Sequence, residues 1–405
     1  MSVDVLAVLG GRPAFDEPLH VGRPNLGDRN KLFARMNRLL DNNWLTNRGP
    51  FVQELEQRIA ETAGVKHCIA MCNGTIALEI AIRAAGLRDE VIVPSYTFIA
   101  TAHALQWQEI TPVFCDIDPT THNIDPDRVE ELITPRTTAL IGVHLWGRPC
   151  DVGRLAEIAA RRRLALLFDA AHAFGCSHRG RMIGGFGLAE IFSFHATKFL
   201  NTFEGGAVVT NDDDLAGRIR LMKNFGFAGY DNVVYVGTNG KMTEVAAAMG
   251  LTNLESMGAF VAANRSNYKD YRRRLEGCSG ISVIEYDDRE RCNYQYVVVE
   301  VDEEGAGLGR DELVGVLHAE NVLARRYFYP GCHRMEPYRS FFPHSRLLLT
   351  ETERLARRVL LLPTGVSVGP SQVKDVCTII ENALSAAPAV RASLSNRAAE
   401  ATVAQ

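Results

Sequence analysis

Residues 66–210 alternate between short apolar runs and helical patterns, and this alternation limits the fold more than any other feature of the chain. The strand-like runs include KHCIAMC, EVIVPS, PVFCDID, TALIGVHLWG, LALLFDA, EIFSF and GAVVT, and helical patterns such as GTIALEIAIRAAG and DVGRLAEIAARRR separate them. Short apolar strands divided by helices are typical of βαβ units. We therefore predict an α/β fold with a mostly parallel central sheet and helices on both of its faces.

Polar residues stand where several of these apolar runs end. They are Asn73, Ser95, Asp116, His144, Asp169 and Ser193. In sheets of this kind, ligands bind beyond the carboxyl ends of the strands, because the loops that carry binding groups converge there. The sequence therefore predicts a functional site along that edge of the sheet.

The 405-residue length favours more than one domain. We predict an N-terminal arm over residues 1–30, which are rich in Gly, Pro and Asn, and a large domain over residues 31–260. Further on, ISVIEY and YQYVVVEV are strand-like, whereas ETERLARRVLLLP and SQVKDVCTIIENALSAA have helical patterns. We predict a smaller α+β domain over residues 261–388. The Ala-rich residues 389–405 predict a disordered tail.

Composition excludes several classes of function. The net charge is −4 with no basic block, which argues against nucleic acid as a partner. No apolar run approaches the ~20 residues that a membrane span needs, and the N-terminus lacks the pattern of a signal peptide. The nine cysteines are scattered without a CxxC motif, and the histidines lack zinc-binding spacing. We expect a cytoplasmic protein with no structural disulfide, no metal and no membrane partner.

Lys198 differs from the other lysines of the chain in its surroundings. It lies between the strand-like run that ends at Ser193 and the Gly205-Gly206 pair. Most lysines are solvated surface charges. A lysine that is desolvated and held in a fixed position has a lowered pKa, which suits it to Schiff-base chemistry. Our hypothesis is that Lys198 forms a Schiff base with pyridoxal phosphate.

Asp169 ends the apolar run LALLF, and His172 follows three residues later. A carboxylate in this position is usually a cap or a salt-bridge partner. The ring nitrogen of pyridoxal phosphate, however, needs a carboxylate partner to stay protonated and act as an electron sink. His172 could contact the ring hydroxyl or Asp169, and a satisfied core histidine is an equally good interpretation.

Two further segments have features that a phosphate-bearing planar cofactor needs. Gly74 and Thr75 follow Asn73 at the start of a helical pattern, where free N–H groups can bind phosphate, although a plain N-cap explains the residues as well. Tyr96 and Phe98 follow a strand-like run and could stack on a flat ring. Aromatic packing in a core is the more common use of such residues.

Taken together, these segments resemble the DegT/DnrJ/EryC1/StrS family of sugar aminotransferases. The matching motifs occur in the family's order and span roughly residues 20–340: CNGTIAL, PSYTFIATAHA, PVFCDID, HLWGRPCD, FDAAHAFG, FSFHATK, EGGAVVT and GTNGKMTEVAAAMGLTNLE. The resemblance implies the fold type I architecture of aspartate aminotransferase. It also implies pyridoxal 5′-phosphate as cofactor, which becomes pyridoxamine 5′-phosphate during turnover.

The resemblance gives each candidate residue a role. Lys198 matches the Schiff-base lysine, Asp169 the partner of the pyridine nitrogen, and His172 the contact to the ring hydroxyl. The phosphate cradle and the stacking aromatic match Gly74, Thr75, Ser193 and Phe98, with Tyr96 the weaker candidate for stacking.

The resemblance also implies a homodimer whose active sites are shared between subunits. Asn239, in GTNGKM, matches an asparagine that reaches the cofactor phosphate from the neighbouring subunit. Lys241 stands where many members carry arginine, so either residue would supply positive charge near the pyrophosphate of a sugar nucleotide. Tyr329 and His333 are candidates for the substrate pocket, and packing within the second domain is an equally good interpretation of both.

The segment before the lysine, FHATK, is similar to that of members acting on C4 of 4-keto-6-deoxy sugar nucleotides. The implied reaction is amination of dTDP-4-keto-6-deoxyglucose with L-glutamate as donor, as in antibiotic sugar pathways. Amination at C3 of a 3-keto sugar nucleotide, or of a cyclitol ketone, is the alternative within the enzymes. A protein that binds the cofactor for regulation, without turnover, is the alternative outside them.

Overall fold

The computed structural model describes the backbone of residues 5–403 and the side chains of residues 5–396. Its helices are α1 (Arg29–Asp41), α2 (Pro50–Ala63), α3 (Gly74–Ala84), α4 (Ala100–Gln106), α5 (Pro126–Leu132), α6 (Val152–Arg162), α7 (Asp213–Met222), α8 (Glu244–Glu255), α9 (Met257–Leu275), α10 (Glu303–Ala306), α11 (Arg310–Ala319), α12 (Tyr338–Phe341), α13 (Thr350–Ala356), α14 (Pro370–Ser385) and α15 (Ala387–Val403).

The strands are β1 (Leu19–His20), β2 (His67–Met71), β3 (Glu90–Pro94), β4 (Thr111–Cys115), β5 (Thr137–Val143), β6 (Ala165–Asp169), β7 (Ser177–His178), β8 (Arg181–Met182), β9 (Ala189–Ser193), β10 (Gly206–Thr210), β11 (Ile281–Val283), β12 (Val297–Val301), β13 (Val322–Leu323) and β14 (Val359–Leu362). Short 3-10 helices occupy Ala7–Leu9, Leu145–Gly147, Cys332–Arg334 and Ser345–Leu347.

A seven-stranded sheet in the order β2-β10-β9-β6-β5-β3-β4 forms the centre of the large domain. Only β10 runs antiparallel to its two neighbours within this sheet. The sheet is buried on both faces, because one apolar core includes side chains of α2, α6 and α8 and another includes those of α3, α4 and α7. The predicted mostly parallel sheet with helices on both faces is therefore confirmed.

A second core lies in the C-terminal part of the chain. The antiparallel sheet β11-β12-β14 packs there with α11 and α14. Helix α9 crosses the predicted domain boundary at 260/261, since Phe260 packs in the core of the large domain whereas Tyr268 and Tyr271 pack in the second core. The sequence ETERLARRVLLLP, predicted as one helix, divides into α13 and the buried strand β14.

Both ends of the described chain dock on this smaller unit. Leu6, Val8 and Leu19 of the N-terminal arm are buried in its core, and β1 pairs with β13. The prediction of disorder from residue 389 is wrong for the described residues, because α15 continues to Val403. Val390 is buried in the same core and Leu394 packs against it, so an alanine-rich helix is held by a few apolar side chains. Residues 404–405 of the predicted tail lie outside the described residues.

Among the described residues, no single helix combines the length and the apolar composition that a bilayer span requires. Helices α8 and α9, which meet at a 60° bend, have the required length and composition only when they are taken together.

Candidate active site

Asp169 lies at the carboxyl end of β6, near the middle of the sheet. Its side chain is almost completely buried, with 9% of the residue exposed. One carboxylate oxygen, Oδ2, accepts a hydrogen bond from Thr101 Oγ1 at 2.9 Å, and Oδ1 accepts one from the Ala171 N–H at 3.1 Å. Each oxygen can therefore accept at least one further hydrogen bond.

Lys198 lies in the loop that follows β9, beside Asp169 in the fold. No hydrogen bond or ion pair involves its amino group within the described part of the chain. Burial lowers the pKa of Lys198 from 10.5 to about 8, although the charge of Asp169 acts in the opposite direction. At pH 7 an amine with this pKa is neutral in about a tenth of molecules, against roughly one in three thousand for an ordinary lysine. The site therefore contains a nucleophilic amine close to a carboxylate.

His172 is packed among aromatic rings beside Lys198. Trp146 and Phe328 lie nearly parallel to the imidazole, with ring centroids 5.9 and 5.8 Å away, and Tyr296 is tilted at 4.7 Å. Burial, with a smaller effect of the Lys198 charge, lowers the pKa of His172 well below 6.5. Because Nδ1 accepts the Trp146 N–H at 3.3 Å, the neutral ring carries its proton on Nε2 and can donate from there.

The N-terminus of α3 meets the end of β9 closely. Asn73 caps the helix by accepting the Ile76 N–H, so the capping interpretation of this residue holds. The first N–H groups of a helix, here those of Gly74 and Thr75, have no partner within the helix. A Cβ at Gly74 would lie only 3.0 Å from the Ser193 Cβ, and one at Gly206 only 2.6 Å from the Gly74 nitrogen. Glycine thus lets β9 and β10 pack closely against the start of α3, which brings the Ser193 hydroxyl next to helix N–H groups that can bind a phosphate.

The two aromatic candidates have different surroundings. Phe98 is 57% exposed, and the centre of its ring lies 6.4 Å from the centre of the buried Phe328 ring, so part of the Phe98 ring is open to solvent. Tyr96 is 1% exposed, and its hydroxyl donates to the Tyr327 carbonyl at 2.7 Å. Tyr96 is therefore a core residue, and Phe98 is the aromatic free to stack on a planar ring.

Asn239 and Lys241 lie away from these groups within their own chain. Asn239 is exposed and pairs with Asn224 at the base of a loop. Lys241 Nζ donates to Asn224 Oδ1 at 3.0 Å and lies 4.7 Å from the centre of the Phe225 ring. Burial and the nearby Lys223 charge lower the pKa of Lys241. Neither side chain is hydrogen-bonded to Asp169 or His172.

Tyr329 and His333 have contacts that favour the packing interpretation. The Tyr329 ring lies between the guanidinium groups of Arg310 and Arg326, at 5.2 and 4.8 Å. His333 is 2% exposed, with Nδ1 at 2.7 Å from Ser95 Oγ and Nε2 at 2.8 Å from Glu353 Oε1. Both ring nitrogens of His333 are thus engaged by protein groups.

Several contributing residues were not predicted from the sequence. Thr101 belongs to the motif PSYTFIATAHA and holds Asp169, and Trp146 belongs to HLWGRPCD and covers His172. Phe328 and Asn293 come from the smaller unit. The Asn293 amide donates to the His172 and Phe174 carbonyls, and no sequence pattern marked either residue.

Comparisons with known proteins show which family the chain resembles. The model of the DegT/DnrJ/EryC1/StrS aminotransferase family matches residues 27–381. A solved structure of DesI in the presence of its TDP-sugar product superimposes with a TM-score of 0.92 and 50% sequence identity, covering 97% of this chain and 99% of that one.

Two characterised relatives are dTDP-4-amino-4,6-dideoxy-D-glucose transaminases. The one from Shigella dysenteriae is 42% identical over 80% of this chain and 88% of its own length. The one from Escherichia coli is 36% identical over 90% of this chain and 98% of its own length. A desolvated lysine amine, a carboxylate that could pair with a ring nitrogen, and free helix N–H groups beside Ser193 all fit pyridoxal phosphate. The chain belongs to the DegT/DnrJ/EryC1/StrS family, whose members are pyridoxal-phosphate-dependent aminotransferases.

Proposed function

We propose that the protein transfers the amino group of L-glutamate to C4 of a nucleotide-linked 4-keto-6-deoxy sugar, with dTDP-4-keto-6-deoxyglucose as the substrate. The observation that carries the proposal is the desolvated amine of Lys198 beside Asp169 and His172. The names of two relatives that cover most of this chain, and the TDP-sugar product in a structure 50% identical to it, support the choice of substrate.

Binding and orientation come from three parts of the fold. When bound, pyridoxal phosphate supplies an electron-accepting ring that carries the amino group between donor and acceptor. The N–H groups of Gly74 and Thr75, with the Ser193 hydroxyl, would bind its phosphate at the positive end of α3. The open ring face of Phe98 would stack on its flat ring.

The proton-handling groups divide the remaining work. Asp169 would hold a proton at the ring nitrogen of the bound cofactor, and the Nε2–H of His172 would donate to the ring hydroxyl. Lys198 Nζ removes the proton from Cα of glutamate, and in the second half of the cycle it returns a proton to C4 of the sugar. A pKa of about 8 suits both roles, because near neutral pH the Lys198 amine can accept a proton in one step and donate a proton in another.

The enzyme works as a homodimer in the cytoplasm in this proposal. The segment 225–236 exposes Phe225, Phe227, Tyr230, Val233, Val234, Tyr235 and Val236, and Asn239 follows it. A contiguous apolar surface of this kind favours burial against another subunit. Asn239 and Lys241 would then reach the phosphate groups of the partner's site. All nine cysteines are free, which agrees with a reducing compartment.

Mixed dimers test the shared site. We expect Lys198→Ala and Asn239→Ala homodimers each to lose activity, and co-expressed heterodimers to regain up to half of the wild-type rate. The reason is that one of the two sites in the heterodimer then combines a native Lys198 with a native Asn239 from the other subunit. Absence of recovery in purified heterodimers would mean that each chain supplies Asn239 to its own site.

The substrate assignment is tested by mass spectrometry of the product formed from dTDP-4-keto-6-deoxyglucose and glutamate. Incorporation of ¹⁵N from labelled glutamate at C4 is the expected result. Faster turnover of the 3-keto isomer would replace the C4 assignment. Failure of every amino acid to convert the cofactor to its amine form would instead favour the regulatory alternative.

A further inference from the structure

Residues 22–27, here called the strap, cross the loop that carries Lys198. At the start of the strap, a Cβ at Gly22 would lie 3.2 Å from the Thr197 Cβ, and the backbone has a φ of +75°. A side chain at this position would therefore be strained as well as crowded. The strap comes from the arm that docks on the smaller unit, so it connects that unit with the lysine loop.

Asn25 is the centre of the contact. Its Nδ2 donates to the Phe199 carbonyl at 3.2 Å, immediately after Lys198, and its Oδ1 accepts the Val366 N–H at 3.3 Å. Asn201 Nδ2 donates back to the Asn25 carbonyl at 2.7 Å. The Asn25 side chain therefore links the backbone of the lysine loop directly to the smaller unit.

A second layer of amide bonds holds Asn201 itself. Asn253 of α8 donates to the Asn201 carbonyl at 2.8 Å and accepts the Gly27 N–H at 2.8 Å. Asn25, Asn201 and Asn253 are all buried. Buried amides in hydrogen bonds of this kind fix a backbone firmly, because each broken bond leaves a desolvated polar group without a partner.

A single exposed hydrogen bond contacts the other side of Lys198. Gln295, from the smaller unit, donates from Nε2 to the Thr197 carbonyl at 3.3 Å. The carbonyls immediately before and after the lysine thus each accept a side-chain amide from outside the large domain. Within the described residues the lysine amine has no partner of its own, so its location depends on how this backbone is held.

We propose that Asn25 is a positioning residue for Lys198, and that Gln295 assists it from the opposite side. The proposal rests on the proposed role of Lys198 in cofactor attachment. Asn25 touches neither substrate nor cofactor in this scheme. It acts by fixing the peptide that directs the lysine amine into the desolvated space beside Asp169.

The decisive variant is Asn25→Asp in the full chain. It keeps the shape of the side chain and the acceptor for the Val366 N–H, but turns the donor toward the Phe199 carbonyl into a second acceptor. Asn321→Asp is the matched control, because Asn321 Nδ2 donates to the Phe15 carbonyl of the same arm, at 2.7 Å, in another part of the fold. Gln295→Met, which removes one donor without adding charge, decides the question if Asn25→Asp does not fold.

Two measurements separate positioning from a loss of stability. Competitive acetylation of the apoprotein, read by peptide mass spectrometry, gives the pH midpoint of Lys198 reactivity. We expect it to rise by about one pH unit in Asn25→Asp and also to rise in Gln295→Met, because a displaced amine regains solvent and Gln295→Met adds no carboxylate that could raise the pKa by its charge. In the loaded enzyme we expect the single-turnover rate with saturating glutamate to fall about tenfold with little change in glutamate KM.

The outcomes are distinct. A folded Asn25→Asp protein with the wild-type midpoint and rate overturns the proposal, as does an equal change in Asn321→Asp. If Asn25→Asp is unfolded, an unchanged Gln295→Met protein overturns it. Borohydride reduction followed by peptide mapping of the wild-type enzyme tests the proposed function separately. Attachment of the cofactor to another lysine would remove that function and this inference together, whereas attachment to Lys198 leaves the variants to decide.

Discussion

The carboxyl edge of the central sheet has two halves that use similar residues for different purposes. At the ends of β3 and β4, Ser95 and Asp116 are fully engaged by the smaller unit. Ser95 contacts the His333 ring, and Asp116 accepts the N–H groups of Glu351 and Thr352 at the start of α13. At the ends of β6 and β9, Asp169 retains free acceptor capacity and the Lys198 amine has no partner within the described residues.

From this difference we propose that a polar residue at this edge can serve a ligand only if the rest of the chain leaves it open. A closed group such as Asp116 contributes to stability, because its loss would expose unpaired N–H groups. An open group such as Lys198 does not add to the stability of the fold and is available to a ligand. Substitutions in the two halves should therefore have opposite effects on stability and activity.

The largest effect is expected for Lys198→Ala. Loss of the amine removes both the attachment point and the proton carrier, so kcat/KM should fall by at least about 10⁴-fold. The cofactor should no longer be trapped on the chain by borohydride. Steady-state kinetics and peptide mapping are the measurements, and residual turnover above a hundredth of the wild-type rate would contradict the proposed role.

Lys223→Ala is the comparison within the same residue type. Lys223 is buried and donates to Glu56 Oε1 and to the Ala70 carbonyl, both at 3.0 Å. Removing it leaves the buried Glu56 carboxylate with only the more distant and more exposed Arg48 guanidinium, at 3.6 Å, which should cost about 3 kcal/mol of unfolding free energy. Denaturant unfolding of the two variants should therefore rank them in the reverse order of their activities.

Matched substitutions of the two aspartates are expected to give the next largest effect. Asp169→Asn keeps the shape but loses the charge for the ring nitrogen, so kcat should fall about 10²–10³-fold with little change in stability. Asp116→Asn replaces one carboxylate oxygen with an NH₂ group, which cannot accept the N–H groups at the start of α13. This substitution should lower the unfolding free energy by about 2–3 kcal/mol. The folded fraction of Asp116→Asn should keep nearly normal kcat. Equal losses of activity in both variants would remove the distinction between the halves.

The partners of the closed half of the edge could not be predicted from the sequence. Strand and helix periodicity predicted the parallel sheet, and motif order predicted Lys198 and Asp169. Nothing in the sequence showed that Asp116 caps a helix more than two hundred residues away, or that His144 accepts the Cys150 N–H inside the core. Such partners depend on the docking of the smaller unit, which local patterns do not encode.

The two errors in the C-terminal region have the same origin. The run RRVLLLP follows a helical pattern without a break, so periodicity alone assigned it to the helix. Pairing with β12 in the second core makes Val359–Leu362 a strand. Composition likewise predicted disorder where a few apolar residues hold α15 against the same core. In both segments tertiary packing decides between local alternatives.

The pH dependence of stability gives a smaller test of the open half. The folded state lowers the pKa of Lys198 from 10.5 to about 8, so the unfolded chain binds more protons between these values and stability rises with pH there. Below pH 8 the folded apoprotein holds a costly buried charge. Lys198→Ala should therefore be more stable than the wild type at pH 7, by about 1–2 kcal/mol after allowing for partial exposure.

The measurement for this prediction is urea unfolding of both apoproteins from pH 7 to pH 10.5. The advantage of Lys198→Ala should disappear toward the upper end of that range, where the wild-type lysine is neutral in the folded state. A difference that stays constant with pH would show that the lysine is solvated rather than desolvated.

The smallest expected effect concerns Thr101, which links the open half to α4. Thr101→Val keeps the shape of the side chain and removes the hydroxyl that donates to Asp169 Oδ2. The carboxylate then keeps only its bond from the Ala171 N–H and can rotate, so kcat should fall about three- to tenfold. Because Thr101 acts through Asp169, its substitution should have almost no further effect on kcat in the Asp169→Asn background.

Thr97→Val is the control, since its hydroxyl contacts Thr101 Oγ1 at 3.2 Å and makes no bond to Asp169. Additive losses in the double variant would mean that Thr101 acts on the site by another route.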